Sequence, residues 1–374
     1  MKSSPSKRAS NIFVQIEKTK GIKPKPELVI IANGGLVIDS SFFYVSGFQS
    51  GLFENSFLLA RQNDSVSLFT STLEESIARS DPRGIEIYAF KDSKKCQEKL
   101  KESAGKNVKT IGLNFSQLSM TSFNLIKSLF KGAKMVDVGA AIASARAIKD
   151  ESEVEAIQKA CHIASRVYRK VPGLLKDGIT ESHVAAEMAY EMQRAGGSGV
   201  SFPSIIAFGK NSALPHYTAG GARLKKGQYV LTDYGTTYRR YCSDITRTLV
   251  YGRASKEQKR IYSIVKEALE IGTEYCTPEH TGAEVHSKVA KFIDSTEYRG
   301  RFIHGTGHSL GLDVHDGPGL SSTVKSKLEP GMVVTVEPGI YVPSLGGVRI
   351  EDDVLITKGK PRVLTTAARE LIET

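Results

Sequence analysis

The sequence predicts an α+β protein of two domains. An N-terminal α/β layer domain covers residues 1–143, and a C-terminal domain, in which helices and antiparallel strands segregate, covers 144–374. Three observations carry that reading. A chain of 374 residues has room for two hydrophobic cores. Up to about residue 140, short apolar runs alternate with helical stretches, the rhythm of a layered sheet. Beyond residues 140–147, long helical periodicities give way to β-rich runs, so the boundary falls there.

The first domain has a strand at "ELVIIA" (27–32). "SFLLARQNDSVSLFTS" (56–71) reads as two strands joined by the polar turn Gln62-Asn63-Asp64. "GIEIYAF" (84–90) and "KTIGLNF" (109–115) are strands, each leading to a helix, "KDSKKCQEKLKES" and "MTSFNLIKSLFKG"; "AKMVDVG" (133–139) closes the pattern. No glycine-rich phosphate loop follows any of these strands, which leaves nucleotide binding with little support. The second domain begins with "SARAIKDESEVEAIQKACHIASRVYRKV" (144–171), apolar at helical spacing, with Asp150 and Glu151 near its start. A helix at 180–195 follows, then β-rich segments at 200–208, 228–234 and 243–250. Helices at 255–274 and 281–295 lead to a last β region at 331–357.

Composition narrows the class. With 40% apolar and 24% charged residues the chain is ordinary for a soluble protein. No apolar run reaches the roughly 18–20 residues of a membrane span. The N-terminus is basic but has no apolar core or small-residue cleavage site, so no secretory signal is expected. Cys96, Cys161, Cys242 and Cys276 are widely spaced, which argues against a disulfide framework or a zinc knuckle and for a reducing cytoplasm. The net charge of +11 raises a nucleic-acid partner, but its distribution weakens the idea. Residues 1–25 hold Lys2, Lys7, Arg8, Lys18, Lys20, Lys23 and Lys25 against the single acid Glu17, a net +6. That segment reads as a solvated, partly disordered basic start, with a polyanion-binding arm as the second reading.

Three of the eight histidines fall within "HGTGHSLGLDVHD" (304–316): His304, His308 and His315. A metal there needs carboxylates from elsewhere, and two β-pairs offer them. In "YVLTDYGTTYRRYCSDITRTLV" (229–250), Asp233 ends one strand and Asp244 starts the next, so a hairpin can set them opposite one another on one face. Glu337 follows the apolar run "MVVTV" and Glu351 follows "GVRI", with the glycine- and proline-rich loop "PGIYVPSLGG" between. A lone acid in such a context is more often a cap, a turn former or the partner of an arginine, here Arg247 or Arg349. Four buried acids together cannot all ionise without added positive charge, and two carboxylate-bridged divalent metals would supply it.

The ordered set D-x10-D, GH, E-P-G and R-I-E-D resembles the creatinase/aminopeptidase ("pita-bread") metallopeptidases. The match is closest to the proline-specific branch, Xaa-Pro aminopeptidase and Xaa-Pro dipeptidase (prolidase). "DYGTTYRRYCSDITRT", "HGTGHSLGLDVHD", "VEPGIYV" and "GVRIEDDVLIT" carry the resemblance, with "FPSIIAFGKNSALPHYT" (202–218) in support. It covers residues 145–365, and less specifically the N-terminal part with "SFFYVSGF". It implies a pita-bread catalytic domain behind a creatinase-like α/β domain. The implied metal ligands are Asp233, Asp244, His308, Glu337 and Glu351, with Asp244 and Glu351 bridging two divalent ions. Manganese is favoured by family habit; cobalt, zinc or iron would also suit oxygen-rich ligation. A metal-bridging hydroxide would attack the carbonyl before proline, with Glu337 as proton shuttle. His315 would donate to the developing oxyanion, and His216 is a second such donor. His304 would line the proline-side pocket, and Arg349 would hydrogen-bond the carboxylates around the metals.

Within the branch, an aminopeptidase acting on peptides with proline at the second position is the preferred reading. Prolidases tend to place an arginine shortly beyond the last motif histidine. Here "DGPGLSS" follows His315, and no Arg or Lys occurs until Lys325. The strict dipeptidase is the alternative. Methionine aminopeptidase and creatine hydrolase fit the motifs less well. A non-enzymatic nucleic-acid or ribosome-associated role is the remote alternative, disfavoured because all five ligand positions are filled. The resemblance implies a dimer or tetramer, with a homodimer the preferred reading, and the cysteine pattern makes the location cytoplasmic.

Overall fold

Ser4 starts the first helix: its hydroxyl accepts the Lys7 N–H, and Pro5 sits in the first turn where its missing N–H costs nothing. This helix, α1 (Pro5–Lys18), buries Ala9, Ile12, Phe13 and Ile16 along one face and leaves Lys7 and Lys18 outside. Burying Ile12 and Ile16 contributes about 1.5–3 kcal/mol each. Arg8 is buried too, and donates to the Tyr44 carbonyl at 2.7 Å. The basic start is thus an amphipathic helix rather than a solvated, partly disordered arm. Its apolar spacing outweighs its charge.

The computed structural model describes residues 4–35, 38–80 and 83–374, so Lys2 lies outside the described residues. The chain forms two units, Met1–Arg146 and Ala147–Thr374. The first continues with β1 (Leu28–Ala32), α2 (Ser40–Ser46), β2 (Phe57–Arg61), β3 (Val66–Ser71), α3 (Glu75–Ser80), β4 (Glu86–Phe90), α4 (Ser93–Ala104), β5 (Thr110–Leu113), α5 (Met120–Leu129), β6 (Lys134–Asp137) and α6 (Gly139–Ala147). One mixed sheet runs β4-β3-β2-β1-β5-β6. The hairpin expected at 62–64 joins β2 to β3, with Asp64 taking the left-handed conformation of the turn. Leu100 of α4 and Ile126 of α5 pack with Leu28, Ile30, Phe69 and Leu113 of the sheet.

The second unit corrects one expectation. The stretch 144–171 is not one helix. α6 ends at Ala147, the Lys149 N–H turns to the Gly331 carbonyl, and α7 (Glu151–Tyr168) restarts from Asp150 in a reciprocal capping box with Glu153. Then come α8 (Val171–Leu174), α9 (Glu181–Arg194), β7 (Gly199–Val200), β8 (Ile205–Phe208), a 3-10 turn (Gly209–Ala213), β9 (Gln228–Tyr234), β10 (Thr236–Tyr238), β11 (Tyr241–Cys242), β12 (Ile245–Tyr251), α10 (Lys256–Tyr275) and α11 (Gly282–Asp294). β13 (Val333–Val336), β14 (Gly339–Val342), β15 (Gly346–Arg349), β16 (Asp352–Leu355) and β17 (Arg362–Val363) complete it. Sheets β12-β9-β8, β13-β16-β17 and β11-β10-β7 and the pair β14-β15 are all antiparallel. Among the described residues no helix is long and apolar enough to cross a membrane.

Candidate metal centre and active site

Two β-pairs and one glycine-rich segment build the site. β9 pairs with β12 in a register that sets Asp233 against Thr246 and Tyr234 against Ile245. Asp244 therefore lies two residues beyond the partner of Asp233. The two acids share a face, as alternation requires, but meet diagonally rather than directly opposite, because β10 and β11 are inserted between their strands. In the other pair, Val336 faces Asp352 and Gly339 faces Arg349, and this common register brings Glu337 opposite Glu351. The Glu351 N–H donates to the Thr246 carbonyl at 3.0 Å, which locks the two pairs together.

The histidine segment is added as an irregular strand alongside β13. Glu337 N–H donates to the Thr306 carbonyl, Thr335 N–H to the His308 carbonyl and Leu310 N–H to the Val333 carbonyl, at 2.8–3.0 Å. This approach explains the glycine before His308. A Cβ on Gly307 would lie 1.9 Å from the Thr335 carbonyl oxygen, a contact that backbone cannot yield to. His308 Nε2 then stands 3.5 Å from Asp244 Oδ2 and 3.7 Å from Glu337 Oε1. Donor atoms of Asp244, His308 and Glu351 lie within 4.8 Å of one another.

The electrostatics of this cluster call for a cation. Asp233, Asp244 and Glu351 are buried, while Glu337 and His308 are half-buried. Burial pushes the Asp244 carboxyl well above the usual range, and the Glu351 charge adds to it. Glu351 is likewise raised, by burial and then by Glu337. Asp233 is raised less, because Arg349 opposes its burial. Asp233 Oδ1 and Asp244 Oδ1 are buried with no hydrogen-bond partner, a state that costs several kcal/mol for an anion unless a cation meets it. Five candidate ligands of this type, four of them carboxylates, fit two divalent ions.

Around the cluster is a cavity of about 440 Å³. Phe202, Ile205, Pro215 and Val314 supply apolar wall, and His216, His304 and His315 supply imidazoles. His216 and His315 are exposed to it. The His315 ring packs edge-on to His308, centroids 4.2 Å apart, and desolvation, then His308, lowers its pKa and keeps it neutral near pH 7. His304 is engaged at both nitrogens. Nδ1 lies 2.7 Å from the Gly305 carbonyl and must donate to it, which leaves Nε2, 2.7 Å from Tyr341 Oη, to accept the phenol proton. Tyr341 Oη in turn accepts from Arg349 Nη1 at 3.0 Å, while Arg349 Nη2 holds Asp233 Oδ2 at 2.5 Å and Nε holds Thr246 Oγ1 at 3.1 Å. His304 thus lines the cavity as the end of a chain that runs through Tyr341 and Arg349 to Asp233, with no ring nitrogen left for substrate.

Sequence reasoning missed several supports. Thr246 Oγ1 donates to Glu351 Oε2 at 2.6 Å. Asp353 Oδ2 accepts the Asp244 N–H at 3.0 Å and the Cys161 thiol at 3.1 Å, and burial raises its pKa to about 7. Arg247 pairs not with a candidate ligand but with Asp352 at 2.8 Å. Thr246 and Asp353 sit inside the "SDITRT" and "RIEDD" motifs, which was the available signal. Tyr341 had none beyond its place in "EPGIYV".

Residues 155–358 match the model of metallopeptidase family M24, and residues 27–148 match the creatinase/prolidase N-terminal domain. The chain belongs to metallopeptidase family M24. Its pita-bread catalytic domain and creatinase-type N-terminal domain are those of the proline-specific branch of M24. The Xaa-Pro dipeptidase of Pyrococcus furiosus is 38% identical over 310 residues, 83% of this chain and 87% of that protein. Among solved structures, an Xaa-Pro dipeptidase from Bacillus anthracis superposes with a TM-score of 0.88 at 30% identity, covering 99% of each chain. An X-Pro aminopeptidase from Thermotoga maritima superposes equally well, 0.88 at 33% identity, covering 96% of this chain and all of that one. An M24 chain is a metal-dependent peptidase, a hydrolase.

Proposed function

We propose that this M24 peptidase is an Xaa-Pro dipeptidase, hydrolysing the single bond of dipeptides that end in proline. The observation that carries the reading is the set of five candidate ligands lining a small cavity that also has apolar wall and imidazoles. Similarity to dipeptidases at up to 38% identity supports this reading over the aminopeptidase that the sequence alone favoured.

Asp233, Asp244, His308, Glu337 and Glu351 would hold two divalent ions, with manganese the working ion. When bound, such ions polarise the scissile carbonyl and make water nucleophilic near neutral pH. The residues of the chain do the rest. Phe202, Ile205 and Val314 receive the pyrrolidine ring. Neutral His315 donates an N–H to the scissile carbonyl oxygen as negative charge develops there. Glu337 carries a proton to the departing prolyl nitrogen. His216, exposed at the cavity, donates to the free carboxylate beside proline. The Arg349 chain holds Asp233 in place and opposes the effect of its burial.

One observation favours the aminopeptidase. Among the described residues that line the cavity, Arg349 is the only permanent cation, and it is committed to Asp233 and Tyr341. A panel decides between the two readings: Ala-Pro, Ala-Pro-Ala and Ala-Ala, assayed after chelation and reloading with Mn²⁺, Co²⁺ or Zn²⁺. The dipeptidase turns over Ala-Pro and leaves Ala-Pro-Ala intact. Release of alanine from Ala-Pro-Ala at a comparable rate establishes the aminopeptidase instead, and no turnover with any ion defeats both. Light scattering of the same preparation tests the homodimer that goes with this reading.

A further inference from the structure

The segment that carries His216 has almost no regular structure, yet it must present that imidazole reproducibly. Between β8 and β9 the chain makes the 3-10 turn, passes Leu214, Pro215 and His216, and returns through Gly220. On one side Ser212 anchors it: Oγ donates to the Gly209 carbonyl at 2.6 Å and accepts the Gly347 N–H at 2.8 Å. On the other side the anchor is a single carboxylate, Glu181.

Glu181 is the first residue of α9, but the helix does not use its side chain, since Thr180 caps the helix by accepting the His183 N–H. The side chain is fully buried and turned to the loop. Oε1 accepts the Phe208 N–H at 2.9 Å and the Asn211 amide at 2.9 Å. Oε2 accepts the Tyr217 hydroxyl at 2.8 Å and the Gly220 N–H at 3.2 Å. Asn211 also donates to Tyr217 Oη at 2.9 Å, closing a ring of contacts. The bonds grip the loop before, beside and after His216. Pro215, with its fixed φ, restricts the other neighbour of the histidine.

We propose that Glu181 is a positioning residue for the reaction, holding the 209–221 loop so that His216 faces the substrate carboxylate. Charge is required, not only size. One backbone N–H converges on each oxygen, and neither can turn into an acceptor. A glutamine presents one oxygen and one NH2, so in either orientation it sets a backbone N–H against another donor. The placement at the start of α9 lowers the cost of burying the anion.

The test is Glu181→Gln in the full-length, metal-loaded protein. Hydrogen exchange of peptides spanning 208–221 should accelerate about tenfold while β9 and β12 keep wild-type protection and metal content is unchanged. The activity arm rests on the dipeptidase reading; the exchange arm does not, so failure of one is separable from failure of the other. On Ala-Pro, kcat/KM should fall about tenfold, chiefly through KM, because His216 contacts bound substrate. In a His216→Ala background the same substitution should cost less than about twofold. Tyr217→Phe removes one donor and leaves both backbone N–H groups satisfied, so it should give the same pattern at about threefold, and it decides the matter if Glu181→Gln does not fold. Wild-type exchange in the loop overturns the proposal, and so does an equal loss of activity in both backgrounds.

Discussion

Arg247 offers a quantitative test of how the site is held. Its side chain is fully buried, and every donor of the guanidinium is used. Nε donates to the Ala368 carbonyl at 2.9 Å, Nη1 to the Thr246 and Glu351 carbonyls at 2.9 and 2.6 Å, and Nη2 to Asp352 Oδ1 and the Ala367 carbonyl at 2.8 and 2.9 Å. One residue thus ties β12, the backbone of a candidate metal ligand and the C-terminal residues Ala367 and Ala368 together. Arg247→Met keeps the volume and removes the charge. Deleting one member of a buried ion pair costs about 3–5 kcal/mol. Asp352 retains Thr365 Oγ1 and Arg369, so the low end, about 3 kcal/mol, is expected. For a unit of this size each kcal/mol moves Tm by about 2–4 °C, which gives a fall of roughly 10 °C. Calorimetry of the metal-loaded protein reads it, and Arg247→Lys, with three donors instead of five, should lie between. A Tm for Arg247→Met within about 2 °C of wild type would refute the reasoning.

Stability of chelator-treated protein should fall as pH rises. Asp244, Glu351 and Asp353 have folded pKa values raised by burial, so their protonated forms stabilise the fold at low pH, and that contribution disappears as pH passes through the folded values. For Asp353 the window runs from about 3.8 to about 7; melting scans from pH 4 to 8 with and without chelator check it, and a metal-free Tm that rises across that range contradicts it. Asp244→Asn and Glu351→Gln should each lose bound metal and at least about 1000-fold in kcat, yet raise the Tm of the metal-free protein at pH 8 by removing a repelled charge. Full metal occupancy by mass spectrometry in either variant would defeat the ligand assignment. Tyr341→Phe should cost about 1–3 kcal/mol, because it leaves Arg349 Nη1 and His304 Nε2 without their partner; an unchanged urea midpoint would show that the chain to His304 carries no energy.

Much of this site was legible because its signals are local. Asp233 and Asp244 end and begin apolar strands, Glu337 and Glu351 do the same, and glycines flank His308. Alternation in a strand places each acid on a predictable face whatever the rest of the chain does. Short runs of sequence therefore carried both the family and the list of candidate ligands. What they could not carry was register. The diagonal meeting of Asp233 and Asp244 depends on the inserted β10 and β11, which only the paired sheets reveal.

The local helical signal also misled in two places. The lysines of α1 masked its apolar helical spacing, and a continuous periodicity across 144–171 hid the break at Lys149, whose N–H is claimed by Gly331 far along the chain. The buried polar partners were the least legible of all. Glu181 grips a loop 27–39 residues away, Arg247 reaches the chain 104–121 residues on, and Tyr341 joins His304 to Arg349. By itself, then, the sequence determined the two-domain fold, the order of the candidate ligands and membership of M24, because those rest on residue type and spacing. Tertiary structure alone decided which arginine meets which acid, why His304 has no free nitrogen and what fixes His216, because a buried hydrogen bond selects its partner by three-dimensional proximity.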